Sequence, residues 1–182
     1  RPFNDRRCPM TPDALALLHS HLLEALRDVP TETRRLFHGR GRCWPGLEQL
    51  TVDWLQGVVL VSLFKEPEPA QLQALQTQLR ELCESREWQQ AGAHTLALQH
   101  RYLPQSTTEW LWGQMVEELT ITEGGLLYRI DLGKKQNSGL FLDMRYGRNW
   151  VREHASGLRV LNLFAYTCGF SVAAIEGGAE HV

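Results

Sequence analysis

Two stretches in the last third of the chain hold the residue types that could do chemistry. The first runs Lys134-Lys135-Gln136-Asn137-Ser138-Gly139-Leu140-Phe141-Leu142-Asp143-Met144-Arg145 and packs amide, hydroxyl, acid and base groups around one aromatic. A ligand carboxylate requires a cationic or amide donor, an ammonium requires an acid, and a purine face accepts an aromatic ring. The set therefore suits the amino-acid end and the adenine of a zwitterionic cofactor. It also suits a capped helix, with Ser138 as N-cap and Phe141, Leu142 and Trp150 as core. The second stretch joins an apolar strand pattern at 158–164 to a short turn, Ala165-Tyr166-Thr167-Cys168-Gly169, and then to a small-residue helix at 170–175. Strand, tight turn and helix make the opening unit of a doubly wound α/β sheet, and ligands sit at the carboxyl ends of such strands. Free amide N–H groups and the positive helix terminus face the crevice there, and Gly169 lets the backbone come close to a ligand. The G-x-G-x-x-G fingerprint of nicotinamide oxidoreductases is absent, which counts against that class.

Nothing else in the sequence offers an assignable nucleophile, base or metal set. The cysteines (Cys8, Cys43, Cys83, Cys168) are scattered without C-x-x-C spacing, which argues against zinc and against a disulfide framework. They fit a reducing compartment. No His or Lys lies within two residues of Cys168 to lower its pKa, so it reads as structural. His19 and His21 read as ordinary surface or boundary residues of a helix.

The elements that must position these stretches follow from periodicity. Thr11-Pro12-Asp13 is a helix start, and Leu15, Leu18, Leu22, Leu23 and Leu26 follow at helical spacing before Pro30. Strands are expected at 34–38, 50–54, 58–64 and 95–102, with a second helix at 67–85 buried through Leu72, Leu75, Leu79 and Leu82. The Gly-Arg-Gly-Arg stretch at 39–42 reads either as a phosphate-facing loop or as a solvated turn. Trp110 and Trp112 read as half-buried packing or as a base-stacking platform. Segments 118–121 and 126–132 around 122–125 carry a hairpin signal.

The whole chain has 182 residues, 43% apolar and 22% charged, with a net charge of -2. These values fit a globular protein and exclude a chain-wide basic footprint for nucleic acid, so any RNA contact must come from a local patch. Apolar runs fall far short of the roughly 20 residues that span a bilayer, and no charged-then-apolar leader opens the chain, as expected of a cytoplasmic protein without membrane partners.

The segments GKKQNSGLFLDMRYGRNWV and RVLNLFAYTCGFSVAAIEGGAEHV resemble the bacterial 23S rRNA methyltransferases with a class I S-adenosylmethionine fold, relatives of the large-subunit cytosine-C5 and guanine-N7 enzymes. Their pattern is similar to G-Q-x-[ST]-G-x-F-L-D-x-R-x-x-R, then V-L-N-x-F-x-Y-T-G-G-F-[SA]-V-x-A, then G-G-A. Upstream, RLFHGRGRCWPGLEQLTVDWLQGVVLVSLF is similar to the small α+β domain that precedes the catalytic domain in that family. The resemblance covers about residues 31–182. It implies an α/β chain: a small α+β domain followed by the start of a Rossmann-like methyltransferase domain. The implied division is an N-terminal arm and helix at 1–30, the α+β domain at 31–102, a linker and hairpin at 103–135, and the beginning of the cofactor domain at 136–182. S-adenosyl-L-methionine is the implied cofactor and 23S rRNA the implied partner.

Carried over by position, the implied cofactor contacts are Gln136, Ser138, Phe141, Asp143, Arg145, Asn162, Phe164, Tyr166, Thr167, Gly169, Phe170 and Ser171. Cys168 departs from the family's glycine and costs the turn some freedom. The later motifs of the family, including any catalytic cysteine, are not among these residues. A single strand–helix unit would leave open edges, so further sequence or a second copy is expected to complete the sheet. The competing expectation, from another class, is a non-catalytic RNA- or protein-binding module.

Overall fold

In the computed structural model, which describes residues 9–41, 43–133, 137–163 and 165–182, helix α1 (Pro12–Arg27) begins where the Thr11 hydroxyl accepts the Ala14 N–H at 3.2 Å. Pro12 supplies the preset first-turn φ, and Leu15, Leu18, Leu22 and Leu26 are buried along one stripe. The chain forms two units, one ending at Val116 and the other Glu117–Val182.

The first unit is a five-stranded sheet with helices against it. Strands β1 (Arg34–His38), β2 (Leu50–Leu55) and β3 (Val58–Leu63) form an antiparallel meander, with only Gln56-Gly57 between the last two. Helices α2 (Pro69–Glu84) and α3 (Arg86–Gln90) then carry the chain across to β4 (Thr95–His100), which runs parallel to β3. Parallel neighbours need such a crossover, whereas β5 (Thr108–Trp112) returns antiparallel to β4 through a short connection. Along the strands, Val52, Trp54, Val59, Val61, Leu63, Leu96 and Leu98 alternate onto one face and pack with the leucines of α1 and with Leu75, Leu79 and Leu82 of α2. Strand β5 is an addition to the sequence reading: Trp110 and Trp112 pair with Ala97 and Leu96 across a bulge, which broke the alternation that would have revealed it. Helix α3 was equally hidden; Ser85 caps it by accepting the Trp88 N–H at 3.1 Å, and the Trp88 side chain is buried.

The second unit opens with a hairpin of β6 (Glu118–Glu123) and β7 (Leu126–Asp131). Gly124 and Gly125 adopt φ of 59° and 75°, the paired left-handed geometry that a two-residue hairpin turn requires. Helices α4 (Arg145–His154) and α5 (Gly169–Glu176) follow and pack against each other.

Residues 158–163 depart from the buried strand expected at 158–164, whose last residue lies outside the described residues. Among the described residues they form one parallel bridge, Arg159 to His181, supported by Val160 N–H to His181 O at 2.8 Å and Glu180 N–H to Leu158 O at 2.9 Å. Leu161 is 81% exposed and Leu163 68%. An apolar run reports what a segment prefers to be buried against, but a ladder also needs neighbours, and a single bridge does not make one. The bridge still fixes the topology: the chain enters α5 and leaves it in parallel directions, as a βαβ crossover does. Among the described residues no helix is long and apolar enough to cross a membrane.

Cys83 lies in the first core, and burial pushes its thiol up from 9.0 to about 12, with Glu84 acting in the same direction. The folded value exceeds the unfolded one, so this thiol supports folding fully below pH 9.0 and loses that support as pH climbs toward 12. Maleimide labelling of the native chain at mildly alkaline pH should therefore modify exposed Cys43 and Cys168 and spare Cys83 until denaturant is added. Peptide mass spectrometry reads this directly, and early labelling of Cys83 would contradict the packing.

Candidate functional site

The turn before α5 lies against the stretch before α4. The Tyr166 hydroxyl donates to the Asn137 carbonyl at 3.1 Å, and the Thr167 hydroxyl donates to the Gly139 carbonyl. The Phe141 and Tyr166 rings meet with centroids 5.5 Å apart and planes tilted by 44°. Two polar stretches nearly thirty residues apart in sequence thus share one place in the second unit. Phe141 is 45% exposed and Tyr166 53%, so both rings present a face outward.

The capped-helix alternative is not what forms. Helix α4 starts at Arg145 with Met144 in the N-cap position and no side-chain cap, after a 3-10 turn at Leu142–Met144. Ser138 instead accepts the Asp131 N–H on its carbonyl at 2.8 Å, and Trp150 is exposed rather than core.

Beneath this surface lies an ion pair. Arg148 Nε donates to Glu123 Oε1 at 2.6 Å and Nη2 to Oε2 at 2.9 Å, with both residues 3% exposed. The same Nη2 also donates to the Phe141 carbonyl at 2.9 Å. The end of β6, the middle of α4 and the Phe141 backbone are therefore joined through one guanidinium, whose flat fork suits such bidentate contact. Arg152 adds a second tie, from Nη1 to the Gly124 carbonyl at 2.5 Å and from Nη2 to Glu176 at 3.1 Å, linking hairpin tip, α4 and α5. Tyr128 is buried close by, and desolvation raises its hydroxyl pKa.

Helix α5 opens without a side-chain cap. Its N-cap residue, Cys168, has φ 61° and ψ 22°, the left-handed region that disfavours any residue with a Cβ. The first-turn N–H groups of a helix have no intrahelical acceptors, so here they point at the turn unclaimed by a cap. Asn162 Nδ2 donates to the Ser171 hydroxyl at 2.9 Å, joining the strand segment to α5. Gly169 is buried, and a Cβ added there would stand 3.5 Å from Leu140 Cδ1 and 3.7 Å from Arg148 Cδ, so alanine would fit. Phe170 faces α4 at Gly147, Asp143 is exposed in the 3-10 turn, and Arg145 is half-buried at the start of α4. Of the expected residues, Gln136 and Phe164 lie outside the described residues.

The sequence reading passed over Arg148, Glu123 and the carbonyls of Asn137 and Gly139. Arg148 carried a signal, since it ends the D-x-R-x-x-R run that begins at Asp143. Backbone acceptors carry none, because every residue type has them. Among the described residues no group of three or more His, Cys, Asp or Glu is placed to hold a metal.

The sequence profile of the S-adenosylmethionine-dependent methyltransferases matches residues 34–182. The chain belongs to that family. It is 31% identical over 159 residues to YwbD of Bacillus subtilis, a protein named as a ribosomal RNA large subunit methyltransferase, covering 82% of this chain and 37% of the relative. A solved structure from Streptococcus mutans, described as a SAM-dependent methyltransferase, is 26% identical and superposes with a TM-score of 0.72 over 91% of this chain and 43% of its own. A second solved structure, described as a methyltransferase complexed with SAH, is 27% identical with a TM-score of 0.70 over 91% of this chain and 41% of its own. The chain thus spans less than half the length of each. The mixed α/β architecture of this chain is thus shared with both solved structures.

Two stability outcomes follow from the geometry. Arg148→Met should cost about 3–5 kcal/mol by stranding the Glu123 carboxylate, while Arg148→Met combined with Glu123→Leu should recover much of the loss. Urea denaturation of the three proteins checks the pattern. Cys168→Gly should stabilise the chain by about 1 kcal/mol by relieving the left-handed backbone, read as a rise in Tm.

Proposed function

We propose that this chain carries the cofactor-binding segment and an accessory α+β domain of a cytoplasmic S-adenosylmethionine-dependent methyltransferase that modifies a base of 23S rRNA. The observation that carries the reading is the junction of the Tyr166–Thr167 turn with residues 137–141, which sets two exposed aromatic faces beside polar groups. Its family membership and the name of its Bacillus subtilis relative support the activity and the RNA target.

The donor set suits the cofactor. Asp143 would take the ammonium, and the uncapped α5 terminus with Thr167 and Ser171 would take the carboxylate. Phe141 and Tyr166 would face the adenine. Gln136, Ser138, Arg145, Asn162, Phe164, Gly169 and Phe170 complete the proposed set. When bound, the cofactor supplies an electrophilic methyl group on a sulfonium. The part played by these residues is to bind and orient it, and holding reacting groups in line accounts for much of such catalysis. In this reading residues 136–182 hold the cofactor, residues 31–102 form the accessory domain, and 103–135 join them.

Isothermal titration of the chain with S-adenosylhomocysteine tests the site. Binding heat is expected, and Asp143→Ala should weaken affinity roughly tenfold to a hundredfold by removing a charged hydrogen-bond partner. Unchanged affinity in that variant would remove Asp143 from the site. No heat from the parent chain would favour a non-catalytic module instead.

A further inference from the structure

We propose that Arg148, held by Glu123, is a positioning residue for the cofactor: it fixes the direction of the Phe141 ring without itself meeting the ligand. This role rests on the reading of Phe141 and Tyr166 as the faces that receive the adenine. It names what keeps that side of the site in shape before a ligand arrives.

An exposed ring makes a good platform only if its backbone is already fixed, because every group that a ligand must order weakens binding. Phe141 immediately precedes the 3-10 turn Leu142–Met144, and no side chain caps that turn. Its carbonyl nevertheless has two donors, Met144 N–H at 3.1 Å and Arg148 Nη2 at 2.9 Å. Both acceptor sites of that oxygen are engaged, so the peptide plane after Phe141 is set. Leu140, on the other side, is buried. The ring leaves the backbone between these two fixed points and meets Tyr166 at the surface.

Arg148 has no freedom to follow the ring. Glu123 takes its Nε and Nη2 as a fork, and its stem lies under the start of α5, where a Cβ on Gly169 would stand 3.7 Å from Arg148 Cδ. Glu123 ends β6 and pairs with Leu126 of β7, so the grip takes its direction from the hairpin ladder. Arg152, one turn further along α4, gives the contrast. It holds the Gly124 carbonyl and Glu176, neither of which belongs to the 137–141 stretch. Both arginines tie elements together, but of the two it is Arg148 that reaches the residue facing the adenine. An apolar pair in place of Arg148 and Glu123 refills the interior yet leaves the Phe141 carbonyl with one donor. Stability and ring placement are therefore separable by mutation.

A mutant cycle on S-adenosylhomocysteine affinity, by isothermal titration of the full chain at a temperature where circular dichroism shows each variant folded, tests the role. Phe141→Ala should weaken binding roughly tenfold, the loss of one base–aromatic contact. Arg148→Met with Glu123→Leu should weaken it by a similar factor. All three substitutions together should still cost about tenfold rather than a hundredfold, because the pair acts through the ring. A merely structural pair would instead add its loss to that of Phe141→Ala. Ile121→Val, which thins the buried interior of β6, should lower Tm and leave affinity at the parent value. Should the apolar pair fail to fold, Arg148→Lys takes its place in the cycle, since it keeps the charge beside Glu123 but lacks the planar fork. Parent-like affinity without the pair, or a hundredfold loss in the triple variant, would overturn the positioning role and leave the cofactor site standing. Unchanged affinity in Phe141→Ala would overturn it by removing the ring from the site. A parent chain that gives no binding heat would overturn the cofactor reading and this role with it.

Discussion

The second unit depends on a buried charge. Arg148 and Glu123 are both nearly inaccessible, and an isolated ion there would be strongly disfavoured. The pair persists because the carboxylate receives two hydrogen bonds and the guanidinium has a third acceptor, the Phe141 carbonyl. An apolar pair of similar volume could fill the space, but it could not grip a backbone carbonyl. The arrangement therefore trades desolvation for direction, fixing where the chain passes from hairpin to α4. Because Phe141 is the residue held, this interior contact also sets the position of an exposed ring several bonds away.

Much of this was legible in the sequence wherever local chemistry decides structure. The Thr11 cap and leucine stripe mark α1, short apolar and β-branched runs between turn residues mark β2 to β4, and paired glycines mark the β6–β7 turn. Legibility stopped where structure depends on a partner. β5 was hidden by a bulge opposite Leu96 and Ala97, and segment 158–163 has the composition of a strand but, among the described residues, a single bridge in place of a ladder. Arg148 was passed over because a charged side chain reads as solvent-facing until its acid is known. For the site, residue types pointed to two stretches; that these meet through the Asn137 and Gly139 carbonyls could not be read, since main-chain acceptors leave no mark in composition.

The two units answer different physical problems. In the first, α1 and α2 share a continuous apolar core with one face of the sheet, so the strand ends are held by the same packing that stabilises the unit. Side chains leaving those ends, such as Phe64 and Arg101, inherit that rigidity at little further entropic cost. In the second, only short helices and a hairpin surround few apolar residues, and polar ties carry more of the specification: Arg148 to Glu123, Arg152 to Gly124 and Glu176, Asn162 to Ser171. A hydrogen bond has direction where apolar contact has little, so such a unit can orient groups precisely with a small core.

That distinction bears on the turn before α5. Tyr166 and Cys168 both occupy the left-handed region, at φ 50° and 61°, though neither is glycine. Two such residues within three positions survive only if the surroundings over-determine them. Here the constraints can be named: the Tyr166 and Thr167 hydroxyls are held by carbonyls at 137 and 139, and Cys168 N–H donates to Ala165 O at 2.7 Å. The turn thus owes its shape to the polar stretch it touches. Neither segment would keep its conformation without the other, and the pair behaves as a single preformed element rather than as two loops that happen to be neighbours.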